Sequence, residues 1–173
     1  MPPRLRRFAL TAHVMSTVGW LGAVVVFLAL AVIGLSSQDA QTVRGTYLVM
    51  DPAARLVLVP LAFASLLTGL MQSLGTVWGL FRHYWVLFKL LVTVAATIVL
   101  LTYMETFEAM AEVAADPTAD LGAVRNASPM LHAALALLAL LVATVLAVYK
   151  PRGMTRYGQR QQHKRRRRTL VEH

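Results

Sequence analysis

The chain has 173 residues, of which 57% are hydrophobic and only 14% charged, with a formal net charge of +9 and no cysteine. Soluble domains carry about 25% charged residues, so this composition leaves no room for a soluble domain of any size, and the missing cysteines exclude disulfides, thiolate metal sites and thiol nucleophiles. No nucleophile elbow, phosphate loop, HExxH or dinucleotide fingerprint is present, so ordinary hydrolase and ATPase chemistry is not visible.

Four mostly apolar stretches cover residues 8–35, 52–75, 84–104 and 129–149. Each has the length a helix needs to cross about 30 Å of hydrocarbon. The first follows Arg4, Arg6 and Arg7 but is too long for a signal-peptide core, and reads as a retained span. Charge is one-sided. Of the 17 basic residues, 14 precede span one, lie at the turn between spans two and three, or follow span four. The other two connections hold Arg44, Arg55 and Arg125 against Asp39, Asp51, Glu105, Glu108, Glu112, Asp116 and Asp120. This pattern predicts an all-α integral membrane four-helix up-down bundle with both termini cytoplasmic. Residues 1–7 form a basic N-terminal tail, 8–150 the bundle, and 151–173 a basic tail with no apolar period that is expected to be disordered.

Taken in order, span one is unbroken by proline and ends at Ser36-Ser37-Gln38-Asp39. The mixed segment 42–50 is expected along the outer interface. Asp51-Pro52 reads as the start of span two, with Asp as cap and Pro in the first turn, and Pro60 as a kink. Trp78, Tyr84 and Trp85 suit an interfacial aromatic belt. The helical pattern of span three extends to about Ala115, where Asp116-Pro117 stops it. Span four is rich in Leu and Ala and ends at Tyr149-Lys150-Pro151.

The informative residues are polar ones in apolar surroundings. His13 lies near the cytoplasmic end of span one and shares a face with Ala9, Ser16, Thr17 and Trp20. An ionisable residue there is a functional hypothesis by default. It reads either as an axial haem or a copper ligand, or as an interhelical hydrogen bond to a residue such as Gln72 or Ser73. His83 could join it across one haem, although its depth is shallower and its position also suits an ordinary interfacial histidine. His132 lies toward the outer end of span four and is expected to point into the bundle, bonded to Glu105 or loop backbone. It is on the opposite side from the other two. Span two carries Ser65, Thr68, Gly69, Gln72 and Thr76 at helical spacing, a polar stripe that either lines a path or glues helices together. Lys89 is expected to snorkel to the headgroups. Glu105, Glu108 and Glu112 share one face, as a solvated acidic strip or a cation site. The run Lys164-Arg165-Arg166-Arg167-Arg168 could suggest nucleic acid, but beside a membrane exit it reads as a contact to anionic lipid. Asn126-Ala127-Ser128 matches a glycosylation acceptor by a pattern that is common by chance.

Three stretches carry a family resemblance: His13 to Ala23 (HVMSTVGWLGA), Pro60 to Gly69 (PLAFASLLTG) and Thr76 to Lys89 (TVWGLFRHYWVLFK). They resemble an uncharacterised family of small bacterial four-span membrane proteins of actinobacterial type, over residues 8–104. That family is distantly similar to the membrane domain of copper-resistance protein D and to b-type cytochrome bundles. The resemblance implies a bacterial cytoplasmic membrane location, and it implies haem b or copper ligation for His13 and, less directly, His83. The usual pair of histidines one bundle depth apart on a single helix is missing here. Two functions compete. One is a non-catalytic membrane protein, an accessory or complex-organising subunit with a membrane partner or a second copy. The other is a haem- or copper-binding protein using His13 and His83. A small transporter using Ser65, Thr68 and Gln72 is a minor third.

Overall fold

A computed structural model describes residues 2–75, 80–151 and 153–161. Helix α1 spans Pro3–Ser36, α2 Ala40–Ala53, α3 Val59–Gly75, α4 Tyr84–Ala115 and α5 Ser128–Tyr149. A π turn, Ala54–Leu58, joins α2 to α3 without a break, and a short 3-10 turn, Leu121–Ala123, precedes α5. Four helical stretches are long and apolar enough to cross a membrane: Pro3–Ser36, Ala40–Gly75, Tyr84–Ala115 and Leu121–Tyr149. The chain is therefore a multi-pass, all-helical membrane protein, with no strand among the described residues.

The buried positions of α1 are Ala9, His13, Ser16, Trp20, Val24, Phe27, Ala31 and Gly34. They repeat every three or four residues, the period of a seam that stays on one partner face over a long helix. Helix α1 packs on α3 and α5, α3 packs on α4, and α4 packs on α5, so each long stretch touches its neighbour in sequence and the last returns to the first. The apolar core joins Trp20, Val24 and Phe27 of α1 to Val43, Tyr47 and Met50 of α2 and to Phe107 and Met110 of α4. Phe107 meets Phe27 edge-on at 5.6 Å and Tyr103 at 5.0 Å, the T-shaped arrangement that aromatic quadrupoles favour.

Two local expectations are corrected, the start of the second helical stretch and the kink at Pro60. The helix that leads into the second apolar stretch does not begin at Asp51-Pro52. It begins at Ala40, where the Asp39 carboxylate accepts from the Gln41 and Thr42 amides, a better-placed cap. Segment 42–50 is the working face of α2, with Val43, Tyr47 and Met50 at 0%, 1% and 1% exposure. Tyr47 fits against Gly34, where an added Cβ would stand 2.9 Å from the ring. The predicted kink at Pro60 becomes a π turn just before it, in which the Val59 amide donates to Ala54 O. Pro52 and Pro60 both lack an amide hydrogen, so the helical ladder is already interrupted on either side and the wider turn fits between them.

The segment after span four is also not free over its described part. Thr155 donates its amide to Arg82 O at 2.9 Å, Tyr84 donates to Gly153 O at 3.3 Å, and Met154 bridges His83. Gly158 lies so near the Arg82 backbone that an added Cβ would fall 2.5 Å from its carbonyl oxygen. These backbone bonds hold residues 153–161 onto the turn before α4. A disordered-tail reading from composition alone misses them. Arg165, Arg166, Arg167 and Arg168 lie outside the described residues.

At the far end of α4, Arg44 from α2 closes the helix. Its guanidinium donates to Val113 O at 3.3 Å, Ala114 O at 3.2 Å, Pro117 O at 3.2 Å and Ala119 O at 3.0 Å, and also to Asp116 O. The last carbonyls of a helix have no partner within it and carry the negative end of its dipole, and a planar cation with five donors meets both needs.

Candidate functional site

His13 sits on the buried seam of α1, so the helix itself aims its ring at α3 and α4. Nδ1 lies 3.0 Å from Thr68 Oγ1 of α3, and Nε2 lies 3.1 Å from Lys89 Nζ of α4. The ammonium can only donate, so it donates to Nε2. The ring proton then sits on Nδ1 and is donated to Thr68 Oγ1, whose own hydroxyl donates to Ala64 O at 2.5 Å. One directed chain of hydrogen bonds therefore runs from α4 through α1 into α3.

Further bonds secure the same level. Thr17 Oγ1 donates to His13 O at 2.7 Å and meets Ser65 Oγ at 3.2 Å. Ser16 Oγ donates to His13 O at 3.1 Å. One turn nearer the chain start, Gln72 Nε2 donates to Ala9 O at 3.0 Å. Gly69 makes room for the imidazole, since a Cβ there would stand 3.1 Å from His13 Cε1. Ser65, Thr68 and Gln72 of the stripe thus face α1, while Thr76 lies outside the described residues. Such contacts let polar groups in hydrocarbon satisfy one another, each worth about 0.6 kcal/mol on average and up to about 1.7.

Lys89 does not snorkel to the headgroups as expected. It turns inward because its face of α4 is small and polar: Thr93 donates to Lys89 O at 2.9 Å and Thr97 to Thr93 O at 2.8 Å, both threonines buried. The spacing Lys89, Thr93, Thr97 was the available signal that this face packs inward. Among the described residues no carboxylate lies within ion-pair distance of Lys89; the ion pairs are Arg55 with Asp51 at 3.0 Å and Arg55 with Glu108 at 2.8 Å.

His83 caps the start of α4, six residues before Lys89. Six helical residues span about 9 Å, so the His83 backbone stands roughly that far before Lys89 along α4. It holds the returning tail through Met154. His132 is exposed, stacks on Tyr103 with ring centroids 4.3 Å apart, and bonds to Ser128 O at 2.8 Å and not to Glu105. Of the acidic strip, Glu108 is engaged by Arg55, and no group of three or more histidines or carboxylates converges on a point among the described residues.

A ligand for haem or copper must offer a lone pair to the metal. The acceptor nitrogen of His13 is Nε2, and Lys89 occupies it. Metal ligation there would require the ammonium to leave.

No family model, no curated protein and no solved structure matches this chain.

Proposed function

We propose that this protein is a non-catalytic, multi-pass membrane protein that works as an accessory or complex-organising subunit, arranged up and down with both termini on the cytoplasmic side of a bacterial membrane. The carrying observation is that both ring nitrogens of His13 are taken, by Thr68 and by Lys89. The residue best placed to hold a cofactor serves as a brace among three helices. The one-sided basic residues support the orientation, and the basic tail end, Arg165 to Arg168, suits anionic headgroups. We also propose kinship with the small four-span family that residues 8–104 resemble.

A subunit role leaves wide apolar helix faces open to lipid or to another membrane protein. In the most apolar window of each stretch, burial falls from 28% in Pro3–Ser36 to 11% in Leu121–Tyr149. The test is gentle extraction of the full chain from its own membrane at native expression level. A stoichiometric membrane partner or a defined homo-oligomer is expected. A monomer with no partner would overturn the reading. The haem or copper alternative, with His13 and His83 as ligands, needs the Lys89 ammonium to give up Nε2, and no specific observation favours it.

A further inference from the structure

The apolar half of the bundle is not closed. A groove of about 470 Å³ opens between α1, α4 and α5. On α5 it runs from Pro129 to Ala139, ten residues or about 15 Å at helical rise. That is half of the ~30 Å hydrocarbon thickness, the depth of one leaflet. Its inner end reaches Trp20, its walls include Phe27 and the small residues Ala136 and Ala139, and its outer end holds Tyr103 and His132.

The polar end is chemically specific. A carbonyl oxygen can only accept, so the bond between His132 Nδ1 and Ser128 O at 2.8 Å places the ring proton on Nδ1. Neutral His132 then presents Nε2 as an acceptor, and that atom has no hydrogen-bond partner among the described residues. The ring is held in place by the stacked Tyr103, whose hydroxyl is itself engaged by Ser128 Oγ at 2.9 Å. A fixed acceptor therefore stands at the mouth of an apolar slot one leaflet deep.

We propose that this groove binds a lipid with one inserted hydrocarbon chain and a hydroxyl-bearing head, the chain lying along α5 toward Trp20 and the hydroxyl donating to His132 Nε2. The bilayer supplies the chain at high local concentration. The leaflet-length slot fits a chain better than a compact molecule, and a lone acceptor selects a head that can donate. A partner's helix or a second copy filling the same groove is the competing occupant.

The test uses the full chain in lipid nanodiscs with Trp78→Phe and Trp85→Phe, which leave Trp20 as the sole tryptophan. The probes are a dibrominated monoacylglycerol and the methyl ester of the same dibrominated acid, which lacks the donor. Bromine on a chain in the groove quenches Trp20. The monoacylglycerol is expected to quench at about fivefold lower mole fraction than the ester, the worth of one hydrogen bond. His132→Phe should erase that difference, and Ala136→Leu should weaken quenching by both; Ala139→Leu replaces it if Ala136→Leu fails to fold. Equal potency of the two probes, or quenching unaffected by the leucine, would overturn the proposal. So would no quenching by either probe, the result expected if protein fills the groove.

Discussion

Lys89 and His13 meet across α4 and α1 with the ammonium 3.1 Å from Nε2. The pair turns two residues that each invite a functional reading into partners, and it leaves the imidazole with no unoccupied nitrogen.

If His13 is a brace, protein expressed with added haem and purified in mild detergent shows no Soret band that depends on it, and its copper content is the same in wild type and His13→Ala. A Soret band abolished by His13→Ala, or copper lost with it, would restore the cofactor reading. His83→Ala is expected to leave both measurements unchanged.

Arg44 and Arg55 stand on the same side of the bundle but do different things. Arg44→Met removes the cation that closes the end of α4 and is expected to lower unfolding stability by about 2–3 kcal/mol, the scale of charge-assisted bonds at a helix terminus. Arg55→Gln breaks ion pairs to the half-buried Asp51 and the exposed Glu108 from an exposed guanidinium, and should cost much less. Denaturation of both variants in one detergent ranks them, and equal losses would contradict the assignment.

Asp39 and Asp116 lie outside the spans, and both carboxyls are held below the ordinary aspartate range, by Thr42 at the start of α2 and by Thr118 after α4. A carboxyl lowered on folding adds stability above its unfolded value, near 3.9, and loses it as pH falls through the folded value. Stability should therefore be flat in these two groups from pH 7 to about 5 and decline below about 4. Asp39→Asn and Asp116→Asn should flatten that acid limb, and an unchanged limb would contradict the assignment.

The proposed orientation puts both ends of the chain on the cytoplasmic side. Reporter tags at each terminus should both be protected from an impermeant reagent in intact cells. Labelling of the C-terminal tag would overturn it.

Much of the architecture was legible in the sequence because membrane spans are written in length and hydropathy, which need no knowledge of partners. His13, Ser65, Thr68 and Gln72 were legible as inward-facing because polar residues at helical spacing in hydrocarbon must find one another. Neither bonding partner of His13 was: the expected Gln72 and Ser73 bond Ala9 O and Leu70 O instead, and Thr68 and Lys89 take the ring. Lys89 on its own obeys the usual rule for a lysine near a helix end, and only the docking of α4 against α1 decides that its ammonium turns inward. Arg44 was equally hidden, because its acceptors are backbone carbonyls that leave no trace in side-chain pattern. The start at Ala40 was obscured by Asp51-Pro52, a strong local start signal overridden by the burial of Val43, Tyr47 and Met50. His132 fell on the right helix, but its partner is the backbone of its own first turn, which no long-range pattern reveals.

The most direct measurement is a double-mutant cycle on the full chain in mild detergent, comparing unfolding of wild type, His13→Ala, Lys89→Met and the double variant. A structural pair predicts a coupling of about 1–2 kcal/mol, with the double variant less damaged than the sum of the single losses. Additive losses, with coupling near zero, would contradict the brace and return His13 to the list of candidate ligands.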